Sequence, residues 1–139
     1  MTDTTLTALA ALADTNRRNA ETFAAVAQQL GITPQLLADR ESVTVYWSTR
    51  PVGTINIGVE SSYSLADGVL EHGISVDGSA DGDLMDAEGA GEYVTAFTDA
   101  QHLLRQVTKA AWEWLETERN KAAIELVGVQ TAQSNRTNG

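Results

Sequence analysis

Between Glu92 and Leu115, apolar residues recur at alternating spacings of four and three: Tyr93, Phe97, Ala100, Leu104, Val107, Ala111 and Trp114. On a helix these positions form one continuous seam, whereas a strand would scatter them over both faces. Leu103, Ala110 and Leu115 broaden the seam into a stripe of the width that faces a core. Ala122, Ala123, Leu126 and Val127 prolong it, which predicts a helix to about Val127 closed by Gly128. An end near Arg119-Asn120, followed by an edge strand from Ile124 to Val129, is the alternative. A helix with a single apolar stripe is incomplete alone, so other parts of the chain must offer it a surface.

A second seam lies at the start of the chain. Leu6, Leu9, Ala13, Asn16, Ala20, Phe23, Ala27 and Leu30 fall at threes and fours and predict a helix over 4–30. Asp3 or Thr4 caps its start, and Gly31 follows the last apolar residue. Asp14-Thr15-Asn16 favours caps over helix interiors, so two helices meeting there is the alternative. Asn16, the polar member of the seam, marks either a partly exposed turn or a register-setting position.

The middle of the chain changes period. Thr33-Pro34 has the form of a helix start and predicts a short helix over 34–40. Val43, Val45 and Trp47 then alternate with Thr44, Tyr46 and Ser48, and Ile55, Ile57 and Val59 with Thr54, Asn56 and Gly58. Joined through Arg50-Pro51-Val52-Gly53, these two runs predict a hairpin with one apolar face. Leu70, His72, Ile74 and Val76 extend it to a three-stranded antiparallel meander. The fold class expected is α+β: two long helices, N- and C-terminal, packed on a small meander. We expect one domain over 1–129 and a flexible polar tail over 130–139, where apolar periodicity stops.

A chain of 139 residues is one domain by length, and it contains no cysteine. Disulfides, thiolate catalysis and zinc–thiolate sites are thereby excluded. Nine basic against nineteen acidic residues leave a net charge of −10. Such a surface repels phosphate backbones and anionic lipid, which argues against nucleic acid and membranes as partners. Two lysines against seven arginines, with abundant Ala, Thr, Asp and Gly, resemble the composition of proteins from salt-loving microbes or GC-rich genomes. No signal peptide is expected from Met1-Thr2-Asp3 and the short run from Leu6 to Ala13, and no apolar run is long enough for a membrane helix. A cytoplasmic or virion location follows as the expectation.

Of the motif-like segments, Asp77 to Glu88 stands out. Asp77, Ser79 and Asp81 occupy positions one, three and five, Gly82 position six, Leu84 position eight and Glu88 position twelve. This spacing resembles the calcium loop of the EF-hand family, in which alternate side chains point into a tight turn around a hard cation. The resemblance implies Asp77, Ser79, Asp81, the Asp83 carbonyl and Glu88 as ligands, and calcium as the cofactor. Met85 brings no oxygen where the family has one, Gly89-Ala90-Gly91 follows where a helix should be running, and a strand precedes Asp77. The simpler reading is a solvated connection whose acids suit the positive N-terminus of the following helix.

His72 and His102 are the only histidines. His72 falls on the inward face of its strand, as a hydrogen-bonded core histidine would. Asp99 and His102 stand one helical turn apart, a spacing that can share a metal or serve acid–base chemistry if a third group joins them. No nucleophile elbow, phosphate loop or dinucleotide fingerprint is present. Trp112 lies off the long seam that holds Trp114, so it either anchors a partner or rests on another helix of the chain. Arg17 and Arg18 are further candidates for an interaction surface. By elimination, the sequence points to a non-catalytic structural or adaptor protein that self-associates or docks on protein partners. A virus particle is one assembly it would suit. A calcium-binding module over 77–88 is the second expectation, and a small enzyme using His72, His102 or Asp99 the third.

Overall fold

The computed structural model describes residues 3–78 and 84–138, with side chains as far as Gly128. Its order is α1 (Asp3–Leu30), β1 (Gln35–Ala38), β2 (Ser42–Val52), β3 (Ile55–Ser64), β4 (Leu70–Asp77) and α2 (Ala87–Asn138). The four strands pair antiparallel in sequence order, a meander without crossovers. Phe23 and Val26 of α1 and Ala96, Ala100, Val107, Ala110 and Ala111 of α2 form one core with Val45, Trp47, Val52, Ile55, Ile57, Val59 and Tyr63 of the sheet. Both helices therefore cover the same sheet face. The fold is α+β, with two helices packed on a four-stranded sheet.

The extra strand is a correction to the short helix expected over 34–40. Gln35 to Ala38 pair instead with Tyr46 to Val43. A helix this short leaves nearly all its backbone groups without intrahelical partners, whereas a hairpin satisfies them against β2. The turn is fastened by Asp39, whose Oδ1 accepts from the amides of Glu41 at 2.8 Å and Ser42 at 2.9 Å. Those two amides hold the Asp39 carboxyl below the usual aspartate range. Gln, Leu and Ala are good helix formers, but tertiary pairing overrides a weak propensity over four residues.

Within the sheet, Val43, Val45, Ile57, Val59 and Tyr63 point to the helices, and so do their register partners on β4. The pairing of β2 with β3 shifts between Tyr46 and Ser48, so Trp47 is the extra residue of a β-bulge. Past the bulge, Arg50 pairs with Ile57 and Val52 with Ile55. β3 runs to Ser64 rather than ending at Val59, because Ser61 and Tyr63 continue the inward alternation.

The helix α1 is unbroken at Asp14-Thr15-Asn16. Asn16 Nδ2 donates to the Leu65 carbonyl at 3.3 Å and buried Asn19 Nδ2 to the Gly68 carbonyl at 2.8 Å, tying the helix to the β3–β4 connection. Gly68, at φ +71°, sits so close that a Cβ would lie 2.7 Å from Thr15 Cγ2. The helix α2 is capped by Asp86, whose Oδ1 accepts from the Gly89 amide at 2.7 Å. It continues through Gly128 to Asn138. The expected stop at Gly128 is thus replaced by helical backbone that includes most of the segment read as a tail.

Gln29 Nε2 reaches Glu113 at 3.4 Å, while Arg17 and Arg18 border a groove with Glu118, Arg119 and Ala122. The two helices are therefore antiparallel, and the start of α1 lies at the same end as the last turns of α2. Every residue from Asp3 to Ala11 and from Lys121 to Gly128 is exposed.

Candidate functional site

A buried polar cluster that joins a histidine to a hydroxyl lies in the middle of the sheet. The Trp47 indole N–H donates to Ser61 Oγ at 2.8 Å, and Ser61 Oγ lies 2.6 Å from His72 Nδ1. An indole nitrogen only donates, so Ser61 Oγ accepts from Trp47, and it keeps both a proton and a second lone pair for the contact with His72 Nδ1. Burial pushes the His72 pKa below the ordinary histidine value. Phe23 packs edge-on against Trp47 at 6.2 Å between ring centroids, so the cluster is tied to α1 as well.

A serine hydrogen-bonded to a histidine is the first half of a nucleophilic apparatus. Here Ser61 is 0% exposed and Trp47 4%, so no substrate atom reaches Oγ. His72 opens onto a depression of about 110 Å³ lined also by Glu60, Ser62, Glu71, Gly73 and Ile74. The cluster holds β2, β3 and β4 together through hydrogen-bonded polar groups. Its partners were hidden in the sequence because Ser61 breaks an otherwise apolar alternation; the signal was the period-two continuation from Val59 to Tyr63.

The remaining candidates do not converge. Asp99 Oδ2 accepts from Arg50 Nη1 at 2.8 Å, and His102 is exposed. Arg50 is paired with Ile57 and His72 with Ser61, a separation of about 13 Å along β3 at strand rise. The Asp99–His102 turn and His72 thus belong to different parts of the sheet. Of the calcium-loop residues, Asp77 ends β4 and Glu88 lies in the first turn of α2, both exposed. Ser79, Asp81 and Asp83 lie outside the described residues. Among the described residues, no group of three or more His, Asp or Glu is placed to hold a metal ion.

Arg17 and Arg18 both bind Asp14, and Arg17 also reaches Glu21 at 2.7 Å. The Arg17 hydrogen bond is the main cause that lowers the Asp14 pKa, and Asp14 in turn raises that of Arg17. These arginines spend their charge on their own helix. Trp112 is 64% exposed, whereas Trp114 lines the groove between α1 and α2. Among the described residues, no helix is long and apolar enough to cross a membrane. In comparisons with known proteins, the chain matches no protein family, no curated protein and no solved structure.

Proposed function

We propose that this chain is a non-catalytic building block that associates with further copies of itself through the projecting end of its helix pair. One observation carries the reading. The apolar seam of α1 continues at unchanged period into Leu6 and Leu9, in a segment that is exposed among the described residues, and α2 carries further exposed apolar residues at the same end. Leu6 and Leu9 on α1 are 51% and 50% exposed, and Ile124, Leu126 and Val127 on α2 are 71%, 60% and 61% exposed. Clustered exposed apolar residues mark interaction surfaces.

Charge favours a second copy as the occupant. Residues 3–13 carry one charge, Asp3, and residues 120–138 carry Lys121, Glu125 and Arg136, on a chain whose net charge is −10. This end is nearly neutral, so two acidic molecules can meet there with little repulsion. Trp112 gives the outer face of α2 a separate anchor for a protein partner. Light scattering on the native chain tests the reading: a discrete oligomer is expected, dissociated by the combined Leu6→Ser, Leu9→Ser, Leu126→Ser and Val127→Ser substitutions. A monomer at every concentration and salt level would rule it out.

A further inference from the structure

The outer edge of β4 is an unpaired strand edge among the described residues. β4 is the last strand of the sheet, eight residues long, and its register with β3 is unbroken from Asn56↔Asp77 to Tyr63↔Leu70. Among the described residues, no backbone hydrogen bond joins its free edge to another element. Gly78, just past the end of β4, lies against the backbone of Thr54 and Ile55 at the start of β3. Natural sheets blunt their edges with prolines, lysines, bulges or shortness. The other edge, β1, is four residues long and follows Pro34. β4 has none of these devices, and its charged residues are Glu71 and Asp77 alone.

We propose that β4 pairs antiparallel with β4 of a second copy, joining two sheets into one of eight strands. The claim rests on the self-association reading and adds to it a second, independent interface. The sequence of the edge selects the register. Residues directly opposite in an antiparallel pair share a face, so keeping both helical layers on one face requires inward residues opposite inward residues. Two central registers meet this condition. With Ile74 on the two-fold axis, Glu71 faces Asp77 of the copy twice, which is repulsive. With Gly73 on the axis, Leu70 faces Val76, Glu71 faces Ser75 and His72 faces Ile74, so no like charges oppose. This register also covers Val76, now 46% exposed. Gly73 lies on the outer face, and a Cβ built there meets nothing within 4 Å. A protomer with two isologous surfaces links to two neighbours, which is what a building block needs.

The absence of cysteine makes the register directly testable. Across the axis, the Gly73 Cα atoms would lie about 4.5–5.5 Å apart, within the range a disulfide spans. The Ser75 Cα atoms would lie about 14 Å apart at strand rise, beyond that range. A Gly73→Cys variant of the full chain, oxidised with glutathione disulfide, is expected to yield a covalent dimer on non-reducing gels, and Ser75→Cys is not. Circular dichroism checks that both variants keep the fold. If the unsubstituted chain is oligomeric by light scattering but Gly73→Cys yields no more covalent dimer than Ser75→Cys, the edge pairing is wrong and self-association stands. If the unsubstituted chain is monomeric, both fall.

Discussion

The same two helices behave in opposite ways along their length. Where they lie over the sheet, their seams are sealed: Val26 is 1% exposed, Val107 0% and Ala110 1%. At the projecting end, the α1 period continues through Leu6 and Leu9, which are 51% and 50% exposed, while on α2 the period passes Trp114 onto Glu118, Lys121 and Glu125, and Leu126 and Val127 are 60% and 61% exposed. On α1, nothing in the spacing distinguishes the two regions. A helical apolar period says that a face is built to be covered; the cover itself is set by the length of the other elements. β3, the strand at the centre of the covered face, spans about 34 Å at strand rise, and α2 about 78 Å at helical rise, so half of α2 must outrun the sheet.

The largest expected effect breaks the covered region. Phe23 is 5% exposed and packs on both Trp47 and Tyr63. Phe23→Ala is expected to cost about 3–5 kcal/mol, the range for aromatic truncation in a core, read from the midpoint of urea unfolding. Ser61→Ala comes next. It deprives the Trp47 indole and His72 of their shared partner, and leaving a buried donor unsatisfied costs about 1–3 kcal/mol. Tryptophan fluorescence would also shift, because the Trp47 N–H loses its hydrogen bond.

How much of this was legible follows from the same contrast. Both seams, the hairpin and the β4 alternation stand in the residues themselves, because apolar period is a local property. The strand β1 was not legible: Gln35-Leu36-Leu37-Ala38 suits a helix, and only pairing with β2 makes it a strand. Ser61 was illegible as a core residue because its burial depends on two partners, one from β2 and one from β4, that sequence spacing does not bring together. The exposure of Leu6 and Leu9 was equally hidden, since it depends on where the sheet stops. Of the site candidates, His72 was placed on the correct face by alternation alone, but its bond to Ser61 required the β3–β4 register.

A smaller effect tests His72 by pH. Its folded pKa lies below the ordinary histidine value because of burial, while the unfolded chain titrates near about 6.5. As pH falls through that unfolded value, the unfolded state takes up a proton that the folded state resists, so stability declines. The decline ends once pH passes the folded pKa and both states are protonated. Glu60 and Glu71 face the same depression, so comparing the chain with a His72 variant in thermal unfolding between about pH 7 and pH 5 isolates the contribution of His72. The wild-type chain is expected to lose stability across that window more steeply than His72→Asn; equal slopes would mean that the cluster imposes no proton penalty.

The smallest effect on the isolated chain is the one that most sharpens the comparison. Leu6→Ser and Leu9→Ser remove apolar side chains from the projecting end, where no residue from Asp3 to Ala11 is buried. If these residues serve only an intermolecular contact, each change should alter the urea midpoint of the dilute chain by no more than about 0.5 kcal/mol, as surface substitutions do. At high concentration the unsubstituted chain should gain stability by mass action, and the variants should not. A concentration-independent loss of more than about 1 kcal/mol in the dilute variants would exceed that surface range. It would mean that the projecting end packs within the chain, and the division between covered and uncovered halves would no longer hold.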